Sequence, residues 1–223
     1  MRLVFLGPPG AGKGTVAARL DDRLQVTHLS SGDLLREAVQ RGDPLGQEAN
    51  QYMKAGTLVP DQLVTGLVLK HLEGLETNES FVLDGFPRTV EQAQVLDNTL
   101  AAKGQAPIDL AIDFGIAPET VVERLTGRRI CEKCRVIYHV TRIPPRRAGL
   151  CDRCGGPLRA RTDDEPGTIL KRLAVYHEQT EPLLVFYRNQ GKLRVVSGEQ
   201  RVEEQYQALV NLLKKEQLVP DAG

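Results

Sequence analysis

Gly7-Pro8-Pro9-Gly10-Ala11-Gly12-Lys13-Gly14-Thr15 follows the apolar run Leu3-Val4-Phe5-Leu6 and opens an amphipathic stretch from Val16 to Leu24. A buried strand, a glycine-rich turn and a helix in that order make a phosphate-binding loop. The glycines let backbone N–H groups curl around a polyphosphate, and the helix aims its positive end at it. Lys13 brings an ammonium within reach of the outer phosphates. The usual loop ends Gly-Lys-Ser/Thr; here Gly14 intervenes, so the Thr15 hydroxyl sits one residue late and is less available as a direct magnesium ligand. A bare strand-to-helix turn requires neither this spacing nor the lysine, so a nucleoside triphosphate is the expected ligand. Switches, pumps and transferases all use such loops, so the loop leaves the chemistry open.

Further short apolar runs lie at 26–29, 81–83, 110–114 and 193–196, each before a loop rich in charge or glycine. Segments 62–72, 90–101, 120–125 and 169–187 between them carry helical periodicity, and Val202, Tyr206, Leu209, Val210 and Leu213 line one face of a closing helix. The alternation predicts an α/β fold: five buried strands in a parallel sheet with helices on both faces. Two stretches break it and read as insertions. One, from about Ser30 to Val59, is helical but interrupted at Gly42, Pro44 and Gly56; the other is a basic module that holds every cysteine. A core with two hinged covers is the expected architecture, with a frayed tail from Pro220.

The 29 basic and 29 acidic residues balance, which gives no global footprint for nucleic acid or membrane. Between Gly127 and Arg161, however, stand ten basic and two acidic residues. A compact basic module on an acidic body suits a cover that closes on an anionic ligand. No basic, apolar, small-residue leader precedes the first strand, and no apolar run approaches the roughly 18 residues that span a bilayer, so a soluble cytoplasmic protein is expected. Monomer is the default, since no exposed apolar stripe is left over.

Cys131-Glu132-Lys133-Cys134 and Cys151-Asp152-Arg153-Cys154 are two C-x-x-C pairs separated by 16 residues. Each knuckle presents two thiolates at the spacing of a tetrahedral zinc site, and four protein ligands leave no open position, so the role is structural. A disulfide pair or a redox motif is the alternative, but nothing points to an oxidising compartment. The same cage accepts iron, and spacing does not choose between the metals.

After the third apolar run comes Asp84-Gly85-Phe86-Pro87-Arg88, with Gln92 four residues on. In a parallel sheet this is the carboxyl end, where ligands sit. Asp84 would face the phosphate loop and hold magnesium through water, and Arg88 and Gln92, one turn apart, could present a cation and an amide to one ligand. As a turn or helix-capping residue, Asp84 would need no ligand at all.

Gly7 to Thr15, Ser30-Ser31-Gly32-Asp33-Leu34-Leu35-Arg36, Gly56 to Asp61, Asp84 to Thr89, Gly127-Arg128-Arg129 and Lys171-Arg172 together resemble adenylate kinase in its zinc-bearing long-lid form, over nearly the whole chain. The resemblance implies a five-stranded phosphate-loop nucleoside monophosphate kinase core (1–29, 60–126 and 166–223), a mobile monophosphate-binding insert (30–59) and a mobile zinc-binding lid (127–165). ATP would be held by Gly10, Ala11, Gly12, Lys13, Gly14 and Thr15, with Arg124 and Arg128 adding charge, Ile137 and Tyr138 near the adenine or ribose, and Gln200 touching ATP. AMP would be met by Ser31, Arg36, Thr57, Leu58, Val59, Gly85, Phe86, Pro87, Arg88 and Gln92. Arg161 and Arg172 would close on the phosphates, beside the lid-hinge acids Asp163 and Asp164. Ser31 replaces a threonine common in the family and keeps the hydroxyl.

The implied reaction makes two ADP from Mg²⁺-ATP and AMP. It needs no protein nucleophile, because an AMP phosphate oxygen attacks, and it relies on positive charge from Lys13, Arg36, Arg88, Arg124, Arg128, Arg161 and Arg172. The four histidines show no paired motif. A kinase for CMP or UMP, or a non-enzymatic zinc module that binds RNA under a nucleotide switch, are the competing readings; against the second, Tyr138 is the one aromatic residue of the basic module.

Overall fold

The computed structural model describes residues 1–76 and 79–220; most of the tail expected from Pro220 lies outside them. The chain starts with β1 (Arg2–Leu6), α1 (Lys13–Leu24) and β2 (Thr27–Ser30), passes through α2 (Ser31–Arg41) and α3 (Pro44–Ala55), and returns by α4 (Asp61–Glu73) to β3 (Phe81–Asp84). Next come α5 (Val90–Ala102), β4 (Leu110–Gly115) and α6 (Pro118–Thr126), then a small antiparallel sheet of β5 (Arg128–Cys131), β6 (Ile137–His139) and β7 (Leu158–Arg159). Helices α7 (Pro166–Val175) and α8 (Pro182–Asn189), strand β8 (Leu193–Ser197) and helix α9 (Val202–Lys215) follow.

The five apolar runs form one sheet, ordered β2-β3-β1-β4-β8 with every neighbour parallel. Strand β1 is buried on both faces because its side chains alternate between two cores. Val4 and Leu6 pack with Leu83, Leu96 and Tyr187, whereas Leu3 and Phe5 pack with Leu20, Phe114 and Leu209. Strands β2 and β3 lie on one side of β1, and β4 and β8 lie on the other. The crevice for a ligand therefore opens at the carboxyl end of β1, where the phosphate loop begins.

The breaks read between 30 and 59 are helix caps. The Ser30 side chain accepts a hydrogen bond from the Asp33 N–H, Gly42 (φ 73°) ends α2, Pro44 opens α3 and Gly56 (φ 71°) ends it. A Cβ on Gly46 would stand 2.2 Å from the Ala38 carbonyl carbon, so α2 and α3 touch backbone to backbone. The helix expected over 169–187 is divided. Pro182 has no N–H to give the carbonyl four residues back, and the preceding turn, Tyr176–Thr180, widens to a π-helix before α8 begins. Among the described residues no helix is long and apolar enough to cross a membrane.

Candidate active site

The phosphate loop leaves β1 and turns into α1 through Gly10 (φ 81°) and Gly12 (φ 98°), backbone angles that favour glycine. Lys13 Nζ lies over the loop and donates to the Gly7 and Pro8 carbonyls at 2.6 and 2.8 Å. Burial lowers its pKa to about 8, with Asp84 pulling up and Arg88 and Arg172 pushing down. Gly14 has a spatial reason: a Cβ there would stand 3.0 Å from Asp84 Oδ2. Asp84 thus sits at the mouth of the loop, with His28 Nε2 at 3.6 Å. Burial raises its pKa, but His28 and Lys13 outweigh burial and hold the carboxyl below its usual range.

Across the crevice, β3 runs into Gly85 (φ 76°), whose carbonyl accepts from Ser31 Oγ at 2.6 Å and Arg88 Nε at 2.8 Å. The Phe86–Pro87 peptide is cis, and Phe86 is buried in the core. Gln92 Oε1 accepts from the Arg88 N–H at 2.7 Å and its Nε2 donates to Asp61 at 2.8 Å, so one amide hydrogen is left for another partner. Of the Thr57-Leu58-Val59 strip, Val59 is buried in the core and Thr57 bonds the Tyr52 carbonyl.

Six arginines crowd this crevice: Arg36, Arg88, Arg128, Arg135, Arg161 and Arg172. Arg128 forms a two-pronged pair with Asp164 (2.5 and 2.8 Å), and Arg172 reaches both Asp163 (3.1 Å) and Asp164 (3.3 Å). Arg36 pairs with Asp33 at 2.8 Å, and Arg135 and Arg161 approach the same carboxylate from the cysteine module at 3.5 and 4.0 Å. Burial, then repulsion from Arg172, lowers the Arg88 pKa to about 10; burial, then Arg128 and Arg36, also pushes Arg161 down. Burial raises the Asp33 pKa, and Arg36 and Arg161 overcome it and hold the carboxyl well below its usual range. Buried cations that depress one another favour a polyanion as ligand.

Arg124 lies one step away, donating to the Gly198, Glu199 and Gln200 carbonyls at 2.7, 3.0 and 3.4 Å. Gln200 therefore stands in a turn that faces the loop through Arg124, whose Nη1 is 3.5 Å from the Gly10 carbonyl. Ile137 is partly exposed on β6, but Tyr138 turns into the module: its hydroxyl accepts from the Asp152 N–H at 2.8 Å and lies 3.5 Å from Cys151 Sγ.

All four sulfurs lie within 4.8 Å of one another. The Cys131–Cys154 and Cys134–Cys151 separations, 3.4 and 3.5 Å, are far beyond a disulfide and near the edge of about 3.8 Å in a tetrahedron of ~2.3 Å zinc–sulfur bonds. Four thiols and no carboxylate suit zinc well. The pairing across knuckles joins β5 to the 151–154 turn, and Tyr138 and Leu158 are buried in the same cluster with Val136 partly buried against it.

A family model for adenylate kinase matches residues 5–192. The chain is 49% identical to the adenylate kinase of Moorella thermoacetica, covering 91% of this chain and 93% of that one. It is 47% identical to that of Thermodesulfovibrio yellowstonii (96% and 100% covered) and 44% identical to that of a Geobacillus strain (96% and 98%). The chain belongs to the adenylate kinase family. Its fold is that of a phosphate-loop nucleoside monophosphate kinase, and its four-cysteine lid marks the long-lid form of adenylate kinase. Two residues of this crevice escaped the sequence reading. Asp61 receives both Gln92 and the Thr89 hydroxyl (2.6 Å), and its only signal was the last letter of Gly56 to Asp61. Asp33 joins three arginines, two of them more than a hundred residues away.

Proposed function

We infer that the protein transfers a phosphoryl group reversibly from Mg²⁺-ATP to AMP, giving two ADP, as a cytoplasmic monomer. The observation that supports this best is the placement of two anion sites on one crevice: the phosphate loop with Lys13, and the Gly85–Arg88–Gln92 wall, with Arg36, Arg128, Arg161 and Arg172 between. In this reading Gly10 to Thr15, Arg124, Arg128, Ile137, Tyr138 and Gln200 bind ATP, Tyr138 through its backbone. Ser31, Arg36, Thr57 to Val59, Gly85 to Arg88 and Gln92 bind AMP. Mg²⁺, held through water by Asp84, would offset charge on the ATP phosphates.

An AMP phosphate oxygen forms the new bond to the γ-phosphorus as the bond to the β–γ bridging oxygen breaks, and the electron pair leaves with ADP. The acceptor oxygen is already ionised near pH 7, so no protein base is required. Lys13 and the arginines align the two phosphates and neutralise the charge of a loose transition state; planar guanidinium forks suit this because each can hold two oxygens. Water is the competing acceptor. Residues 30–59 and 127–165 act as covers on the core, and Asp33, which meets Arg135 and Arg161, ties one cover to the other when the site is shut.

³¹P NMR with Mg²⁺-ATP and AMP, CMP, UMP or GMP in separate tubes tests the reading. Reversible ADP formation with AMP supports it, and transfer only to another monophosphate would move the acceptor assignment. Lys13 adds a pH test. The unliganded ammonium loses its proton as pH rises through about 8, so calorimetric ATP affinity is expected to weaken several-fold from pH 7 to 9. Fold stability shifts the opposite way. Between about 8 and 10.5 the unfolded chain binds a proton that the folded one lacks, so this residue's contribution favours folding as pH rises through that window.

A further inference from the structure

Gln205, in the first turn of α9, is fully buried on the face that carries Tyr206, Leu209 and Leu213. Its Nε2 donates to the Gly198 carbonyl at 2.7 Å and to the Gln200 carbonyl at 2.9 Å. Its Oε1 accepts no hydrogen bond and lies 2.6 Å from where a Cβ would stand on Gly12. The side chain therefore spans from the phosphate loop to the turn that carries Gln200, and a leucine could fill the same volume without orphaning an oxygen. What the amide contributes is its hold on the two carbonyls.

Those carbonyls have a second donor. Arg124 reaches Gly198 at 2.7 Å and Gln200 at 3.4 Å. The two donors differ in kind: Gln205 is fully buried in the scaffold, whereas Arg124 is assigned to the nucleotide. Were Arg124 drawn to a nucleotide, Gln205 would still hold both carbonyls. We propose that Gln205 is a positioning residue for the donor site: it braces the 198–200 turn against Gly12, so that ATP meets a preformed surface. This rests on the assignment of Gln200 and Arg124 to ATP. Gln205 touches no substrate and takes no part in the transfer.

The test is steady-state kinetics and thermal melting of Gln205→Leu beside the wild type. The KM for ATP is expected to rise about tenfold, the scale of one or two lost hydrogen bonds, with KM for AMP and kcat changed less than about twofold. Melting should move by no more than about 3 °C, because an apolar side chain of similar volume also removes the unpaired oxygen. An unchanged KM for ATP, or a common change in both KM values, kcat and Tm, would overturn the proposal. If the leucine variant does not fold, Gln205→Met, unbranched and of similar length, carries the comparison; failure of both to fold would show a scaffold role and overturn it too. A wild type that transfers no phosphate from ATP to AMP would instead remove the donor-site assignment, before any variant is compared.

Discussion

Arg88→Ala is expected to lower kcat/KM by about three orders of magnitude or more while leaving the protein folded. The guanidinium is held by the Gly85 carbonyl through Nε at 2.8 Å, and Ser31 Oγ bonds the same carbonyl, so the side chain is fixed at the wall of the crevice. Burial, then Arg172, depresses its pKa to about 10, which means that the free protein pays to keep this cation among others. Phosphates remove that cost, and most strongly where charge is shared between two nucleotides in the transition state. Loss of Arg88 therefore removes little stability and much catalysis, and the melting temperature should be unchanged or slightly raised. Arg88→Lys should recover only part of the rate, since an ammonium cannot reproduce a two-pronged contact. Near-normal turnover in a folded alanine variant would take Arg88 out of the site.

Removing the metal is expected to act on stability rather than on chemistry. The lid's buried cluster holds Cys131, Tyr138, Cys151 and Leu158, so half of it is metal ligand, and the apolar remainder is too small to hold three short strands together. Both Cys151→Ser and treatment with a strong chelator should lower the first melting transition by about 10 °C or more, at 2–4 °C per kcal/mol for a chain of this size. Tyr138 should report the change, because its hydroxyl bridges the Asp152 N–H and Cys151 Sγ. Elemental analysis of the purified protein should find one zinc per chain. Superimposable melting curves with and without chelator would refute a structural metal.

The sequence was most legible where chemistry repeats at short range. The β1–loop–α1 unit follows from an apolar run, a glycine-rich turn and an amphipathic helix. The breaks at Gly42, Pro44 and Gly56 follow from what those residues do to a backbone, and the cysteine knuckles follow from ligand spacing. Gln92 was visible as an amide one turn from Arg88, but its engagement with Asp61 was not, because the two residues come from separate helices. Tyr138 was visible as an aromatic in the basic module, and only packing shows that it faces the sulfurs.

Taken alone, the residues determined a parallel α/β sheet, a phosphate loop at its carboxyl edge, two stretches inserted between the strands and a four-cysteine centre, because each depends on patterns read within a few turns of chain. Only the tertiary structure decided which charges meet. Asp33 gathers Arg36, Arg135 and Arg161, Gly14 makes room for Asp84, and Gln205 spans from the phosphate loop to the 198–200 turn. The physical reason is that local periodicity specifies elements, whereas pairing between side chains a hundred residues apart depends on how those elements pack.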